Sequence, residues 1–169
     1  MPPTRISAII CTHNRADYLG AAIDSLLTQA FDHYEVIVVD NASTDSTRSV
    51  VEARSPHPRL RYVHEPTLGL SVARNTGAQA ATGEILAYLD DDAEASQGWL
   101  AALMAIYEQN PQVAIAGGKV TLLWPPNCTP PRWLSTAMAG NLGAYDLGDE
   151  VVYITQPGLT PRGLNYSIR

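Results

Sequence analysis

Three carboxylates in a row, Asp90, Asp91 and Asp92, follow the apolar run Ile85-Leu86-Ala87-Tyr88-Leu89 without a spacer. The run reads as a buried strand, so the carboxylates emerge together at its carboxyl end, where open α/β sheets bind ligands. Adjacent carboxylates repel and raise one another's pKa unless a cation or hydrogen-bond donors offset them, and a hard divalent ion held through oxygen does so. The competing reading is a solvated acidic loop that caps the next helix. Two further polar loops are expected to meet the triplet: Thr12-His13-Asn14-Arg15 after a first strand and Asp40-Asn41-Ala42-Ser43 after a second. Asp40 at a strand end suits a pyrimidine N–H or a ribose hydroxyl, and equally its own turn backbone. His13 offers a ring to stack on a base, although loop histidines are often simply solvated. Arg74 falls in the first turn of a helix after Gly69-Leu70-Ser71, where free N–H groups and a guanidinium together suit phosphate oxygens. An ion pair with a sheet carboxylate is its competing role.

The elements that must position these residues follow from hydrophobic periodicity. Strands are predicted at 6–11, 34–40, 60–64, 85–89 and 113–116, the last resuming at 119–123. Between them, Leu19, Ala22, Ile23, Leu26 and Leu27 share one helical face. A helix capped by Ser43 or Asp45 runs to about residue 54, a small-residue helix spans 71–81, and another spans 98–109, ended by Asn110-Pro111. Alternating strands and helices imply an α/β fold, a mostly parallel Rossmann-like sheet with helices on both faces. After Leu123 the prolines of 124–133, with Trp124 and Trp133 at the ends, exclude helix and central strand. The rest, through Gly140, Gly143, Gly148, Gly158 and Gly163, offers one strand-like run at 151–155.

Composition narrows the function. A length of 169 residues with 46% hydrophobic and 17% charged residues fits one domain with a real core. A net charge of −6 argues against a surface that tracks nucleic-acid phosphates. No apolar stretch is long enough to span a bilayer and no secretory signal opens the chain, so a cytoplasmic place is expected, with peripheral contact at a membrane left open. Cys11 and Cys128 read as free thiols. The turn after the first strand lacks the glycines of a dinucleotide site, and the glycine-and-lysine phosphate loop of nucleotide triphosphatases is absent too.

Five segments in order carry a resemblance: Ile9-Ile10-Cys11-Thr12-His13-Asn14-Arg15, Val38-Val39-Asp40-Asn41-Ala42-Ser43-Thr44-Asp45, Gly69 through Gly77, Tyr88-Leu89-Asp90-Asp91-Asp92 and Gly163-Leu164-Asn165. Together they resemble the signatures of family 2 glycosyltransferases over essentially the whole chain. The resemblance implies the GT-A fold of nucleotide-diphospho-sugar transferases. It implies transfer of a sugar, usually from a UDP-sugar, to an acceptor hydroxyl with inversion, aided by Mn²⁺ or Mg²⁺. Carried over by position, Thr12 and His13 line the base pocket within the donor-binding loop that includes Asn14 and Arg15, and Asp40 contacts the base. Arg74 approaches the diphosphate, Asp90 or Asp91 the ribose and donor sugar, and Asp92 the metal. Asn165 lies near the donor sugar or the acceptor channel.

In the family the general base lies farther on, in a Glu/Asp motif opening a later helix. The resemblance therefore implies a base beyond Arg169 and a chain cut short: one structural domain, with residues 1–123 binding the donor and 124–169 beginning an acceptor-side region. Asp146, Asp149 and Glu150 read as loop charges. A saccharide or lipid-linked acceptor is expected, and association with a second copy is left open. Two other readings stand beside this one, a nucleotide-sugar binding module without catalysis and a nucleotidyltransferase.

Overall fold

The computed structural model describes residues 5–125, 127–155, 160–161 and 163–169. Pro126 and Gly158 lie outside the described residues. The elements run β1 (Ile6–Thr12), α1 (Ala16–Leu27), β2 (Tyr34–Asn41), α2 (Thr47–Glu52), β3 (Leu60–Glu65), α3 (Leu70–Ala80) and β4 (Ile85–Asp90). They continue with α4 (Trp99–Gln109), β5 (Ile115–Gly117), α5 (Thr136–Asn141) and β6 (Asn165–Ile168).

The strands form one sheet in the order β3-β2-β1-β4-β6-β5. β3, β2, β1 and β4 are parallel, and β6 enters antiparallel to both β4 and β5. Because side chains alternate along a strand, each strand feeds two cores. Ile6, Ala8 and Ile10 of β1 join Val36 and Val38 of β2 beneath α1, α2 and α4. Ile9, Ile37, Val39 and Tyr88 form the opposite core with Ala73 of α3. That second core is thin because α3 is built of small residues and lies close to the sheet.

Several expectations change. The stretch past residue 133 also holds the helix α5, and the helix expected to run to about residue 54 ends at Glu52. The helix after β3 begins at Leu70, since Gly69 at φ +151° makes the turn and its carbonyl accepts the first helical bond from Ala73 N at 2.9 Å. Arg74 therefore sits just past the first turn. Residues 119–123 form no strand, only the isolated bridge Val120 to Tyr145. The run at 151–155 is exposed and joins no sheet. The place beside β4 that an apolar run would seek is taken by β6, which periodicity did not predict. The expected strand at 113–116 forms as Ile115–Gly117 at the sheet edge.

Candidate functional site at the carboxyl edge of the sheet

A cavity of about 510 Å³ opens where β1, β2 and β4 end. The ladder pairs Cys11 with Asp90, and both residues line it. Thr12, His13 and Arg15 contribute from the β1 loop, Leu68 to Leu70 and Ala73 from the start of α3, and Asp91 and Asp92 follow β4.

The β1 loop is tied to the β2 loop. Asn14, at φ +52°, accepts at its Oδ1 from Thr44 N at 2.7 Å and Asp45 N at 3.3 Å, while its own N–H donates to Ser43 Oγ at 3.0 Å. His13 Nδ1 donates to the Asn41 carbonyl at 2.7 Å, and Asn14 Nδ2 donates to His13 Nε2 at 3.1 Å. These two bonds select one tautomer and fix the ring beside the cavity. Asn14 is thus the clamp that holds His13, not itself part of the lining.

Thr12 is 3% exposed and lines the cavity, yet its hydroxyl has no hydrogen-bond partner of good geometry. The acceptor beside it is the Asp91 carboxylate, and a ligand oxygen is a natural further complement for a hydroxyl so placed. The three carboxylates meet two arginines. Arg15 pairs with Asp92 and its Nε lies 3.6 Å from Asp91, while Arg74 Nη2 lies 3.9 Å from Asp90. Burial pushes Asp90 above the ordinary carboxylate range, with Arg74 working against the shift. Burial raises Asp91 as well, opposed by the nearby Thr12 hydroxyl and by Arg15.

Three further expected site residues lie off this cavity: Arg74 reaches its edge only through Asp90, Asn165 borders a second cavity, and Asp40 faces elsewhere. Asp40 is 3% exposed and does not line the cavity; its Oδ1 accepts from Ser43 N at 3.0 Å and its Oδ2 from the Tyr62 hydroxyl at 2.6 Å. Burial and the Asp40 carboxylate push the Tyr62 phenol up to about 12, so it stays a donor. The turn reading of Asp40 describes this geometry, because strand alternation sends Asp40 to the α2 side and its neighbour Asn41 to the α3 side. Asn41, which sequence reasoning passed over, lines the cavity and braces it: Nδ2 donates to the Thr67 carbonyl at 2.7 Å and Oδ1 accepts from Gly69 N at 2.8 Å. Asn165 is also buried and turned from this cavity. Its Oδ1 accepts from Trp99 Nε1 at 3.0 Å and its Nδ2 donates to the Lys119 carbonyl at 3.2 Å. Asn165→Leu should therefore lower stability by about 1–3 kcal/mol through the unpaired indole N–H, with UDP affinity unchanged. Urea denaturation checks this, and an unaltered midpoint would contradict it.

A second cavity, again about 510 Å³, lies between the loop after β4 and residues 118–123, with Leu164 and Asn165 on its wall. Asp92 borders both cavities. Among the described residues no group of three or more His, Cys, Asp or Glu side chains forms a cage for a cation. The carboxylates around Asp92 nonetheless supply hard oxygen donors. Mg²⁺-type ions bind through one or two carboxylates completed by phosphate oxygens and water, so these residues fit an ion that arrives with a diphosphate.

Comparison with known proteins bears on the family and the fold. A family model described as glycosyl transferase family 2 matches residues 7–138. The glucosyl-dolichyl phosphate glucuronosyltransferase of Haloferax volcanii is 30% identical over 123 residues, 71% of this chain and 39% of that protein. A mannosyltransferase of Pyrobaculum calidifontis, solved with GDP-Man and Mn²⁺, superposes with a TM-score of 0.61 at 32% identity, covering 68% of this chain and 36% of its own. TarS of S. aureus, solved with UDP, gives a TM-score of 0.62 at 25% identity over 76% of this chain and 38% of its own. The chain thus spans under half the length of these relatives. Among the described residues no helix is long and apolar enough to cross a membrane. The GT-A sheet and a family match over most of the sequence lead to one assignment: this chain belongs to glycosyl transferase family 2.

Proposed function

We propose that this chain binds the donor of a glycosyltransferase that moves a sugar from a nucleotide diphosphate, UDP in the first instance, to an acceptor hydroxyl with inversion. The carrying observation is the convergence of the Thr12–Arg15 loop, the start of α3 and Asp90–Asp92 on one cavity that meets a second at Asp92. In this reading the nucleoside lies against His13 and Asn41, and the Thr12 hydroxyl takes a ligand oxygen. Asp90 and Asp91 receive ribose or sugar hydroxyls. Arg74 and Arg15 oppose diphosphate charge, which favours departure of the leaving group. Asp92 would hold Mn²⁺ or Mg²⁺, which when bound supplies further neutralisation of the departing diphosphate. Asp40, braced by Tyr62, shapes the β2 loop and leaves base contact to its neighbours.

In this reading the second cavity, which meets the first at Asp92, is the side from which the acceptor hydroxyl approaches, with residues 124–169 beginning the acceptor side. Asp146 is engaged by Lys119 at 2.5 Å and by Gly148 N at 2.9 Å, so we do not assign the general base to it.

Calorimetry with uridine, UMP, UDP and GDP, each with Mn²⁺ or with chelator, together with a product assay on a UDP-sugar, tests the reading. UDP should bind more tightly than uridine, and more so with Mn²⁺. Arg74→Ala should cost UDP about 1.5–3 kcal/mol, the range for a hydrogen bond to a charged group, and leave uridine unchanged. Equal losses for uridine and UDP would remove Arg74 from the phosphate site. GDP binding in place of UDP would revise the base, and donor binding without product from any acceptor would reduce the chain to a binding module.

A further inference from the structure

β6 brings one more residue against Arg74. Alternation along β6 turns Asn165 toward Trp99 and its neighbour Tyr166 toward the α3 face. Tyr166 is paired directly with Tyr88 across the β4–β6 ladder, and the two rings stack with centroids 4.9 Å apart at 12°. The Arg74 guanidinium lies over the Tyr166 ring, 5.8 Å from its centroid. Arg74 is also held from two other directions. Its Nη2 donates to the Gly163 carbonyl, in the turn before β6, at 3.3 Å, and its backbone carbonyl accepts from the Tyr88 hydroxyl at 3.2 Å.

We propose that Tyr166 is a positioning residue for donor binding, its ring holding the Arg74 guanidinium beside Asp90, which lines the cavity. A free arginine samples many rotamers and loses that freedom when it meets an anion, whereas one laid on an aromatic face loses less. The attraction between cation and ring adds to this. A β6 that served only to fill the sheet would need any strand-forming side chain at 166. The stacked pair supplies a flat, electron-rich face beneath the one arginine on α3. The inference rests on Arg74 meeting the donor diphosphate.

The test is a set of calorimetric titrations with UDP and with uridine on the wild type, Tyr166→Leu, Tyr166→Phe, Arg74→Ala and the Tyr166→Leu/Arg74→Ala double variant. Tyr166→Leu should weaken UDP about fivefold and leave uridine unchanged, in keeping with the loss of a cation–π contact. Tyr166→Phe, which keeps the ring face, should bind UDP as the wild type does. In the Arg74→Ala background Tyr166→Leu should cost UDP nothing further. If Tyr166→Leu fails to fold, Tyr166→Met gives the same comparison. Unchanged UDP affinity in Tyr166→Leu beside a clear loss in Arg74→Ala would overturn the proposal, as would equal losses for uridine and UDP. Unchanged UDP affinity in Arg74→Ala would instead overturn the diphosphate reading beneath it, and this proposal with it.

Discussion

Asp92→Asn should lose most of the affinity for UDP that Mn²⁺ confers, on the order of tenfold or more, or about 1.4 kcal/mol at the least. The carboxamide keeps the shape of the side chain but lacks the charge that a hard cation needs. The fold should tolerate the change. Asp92 is about half exposed and its ion pair with Arg15 is a surface pair, a type that contributes about 0–1 kcal/mol. Titration of UDP into the variant, with Mn²⁺ and with chelator, checks this against an unchanged melting temperature without ligand. An intact Mn²⁺ enhancement would remove Asp92 from the metal site.

Gly77→Val should damage the scaffold beneath α3. A Cβ at residue 77 would stand 2.6 Å from Ile9 Cγ2 and 3.2 Å from Val39 Cγ2. Both neighbours are fully buried β-branched residues in central strands, so neither can swing away. Overpacking of this kind costs about 1–3 kcal/mol, and the full valine side chain puts the expected loss at the upper end. If the protein remains folded, α3 must rise from the sheet and carry Arg74 with it, so UDP affinity should fall together with the urea midpoint. A valine variant with wild-type stability would show that α3 does not lie on the sheet as described.

The parallel half of the sheet was legible because β1, β2 and β4 are near-continuous apolar runs separated by helical faces such as Leu19, Ile23 and Leu26. The carboxylate triplet was legible for the same reason: a buried strand that ends in three aspartates leaves them little choice of place. Asp40 and Asn41 were not separable in this way. They are adjacent in a strand buried on both faces, and only the position of small, close-lying α3 decides which of them meets the cavity. β6 was illegible because its inward residues are polar. Asn165 and Ser167 are buried through bonds to Trp99 and to the Tyr107 hydroxyl, at 3.0 and 2.9 Å, with partners some sixty positions away. A pattern of apolar alternation cannot register such a strand, whereas it does register 151–155, which finds no ladder to join.

The central claim, that one donor diphosphate is held between α3 and the triplet with its metal on Asp92, is tested most directly by a crystal structure grown with UDP and Mn²⁺ and phased at the manganese edge. The anomalous peak should lie within coordination distance of an Asp92 oxygen and of the diphosphate, with Arg74 facing a phosphate oxygen and the uracil beside His13 and Asn41. A nucleotide bound outside this cavity, or a manganese ion with no contact to Asp92, would contradict it.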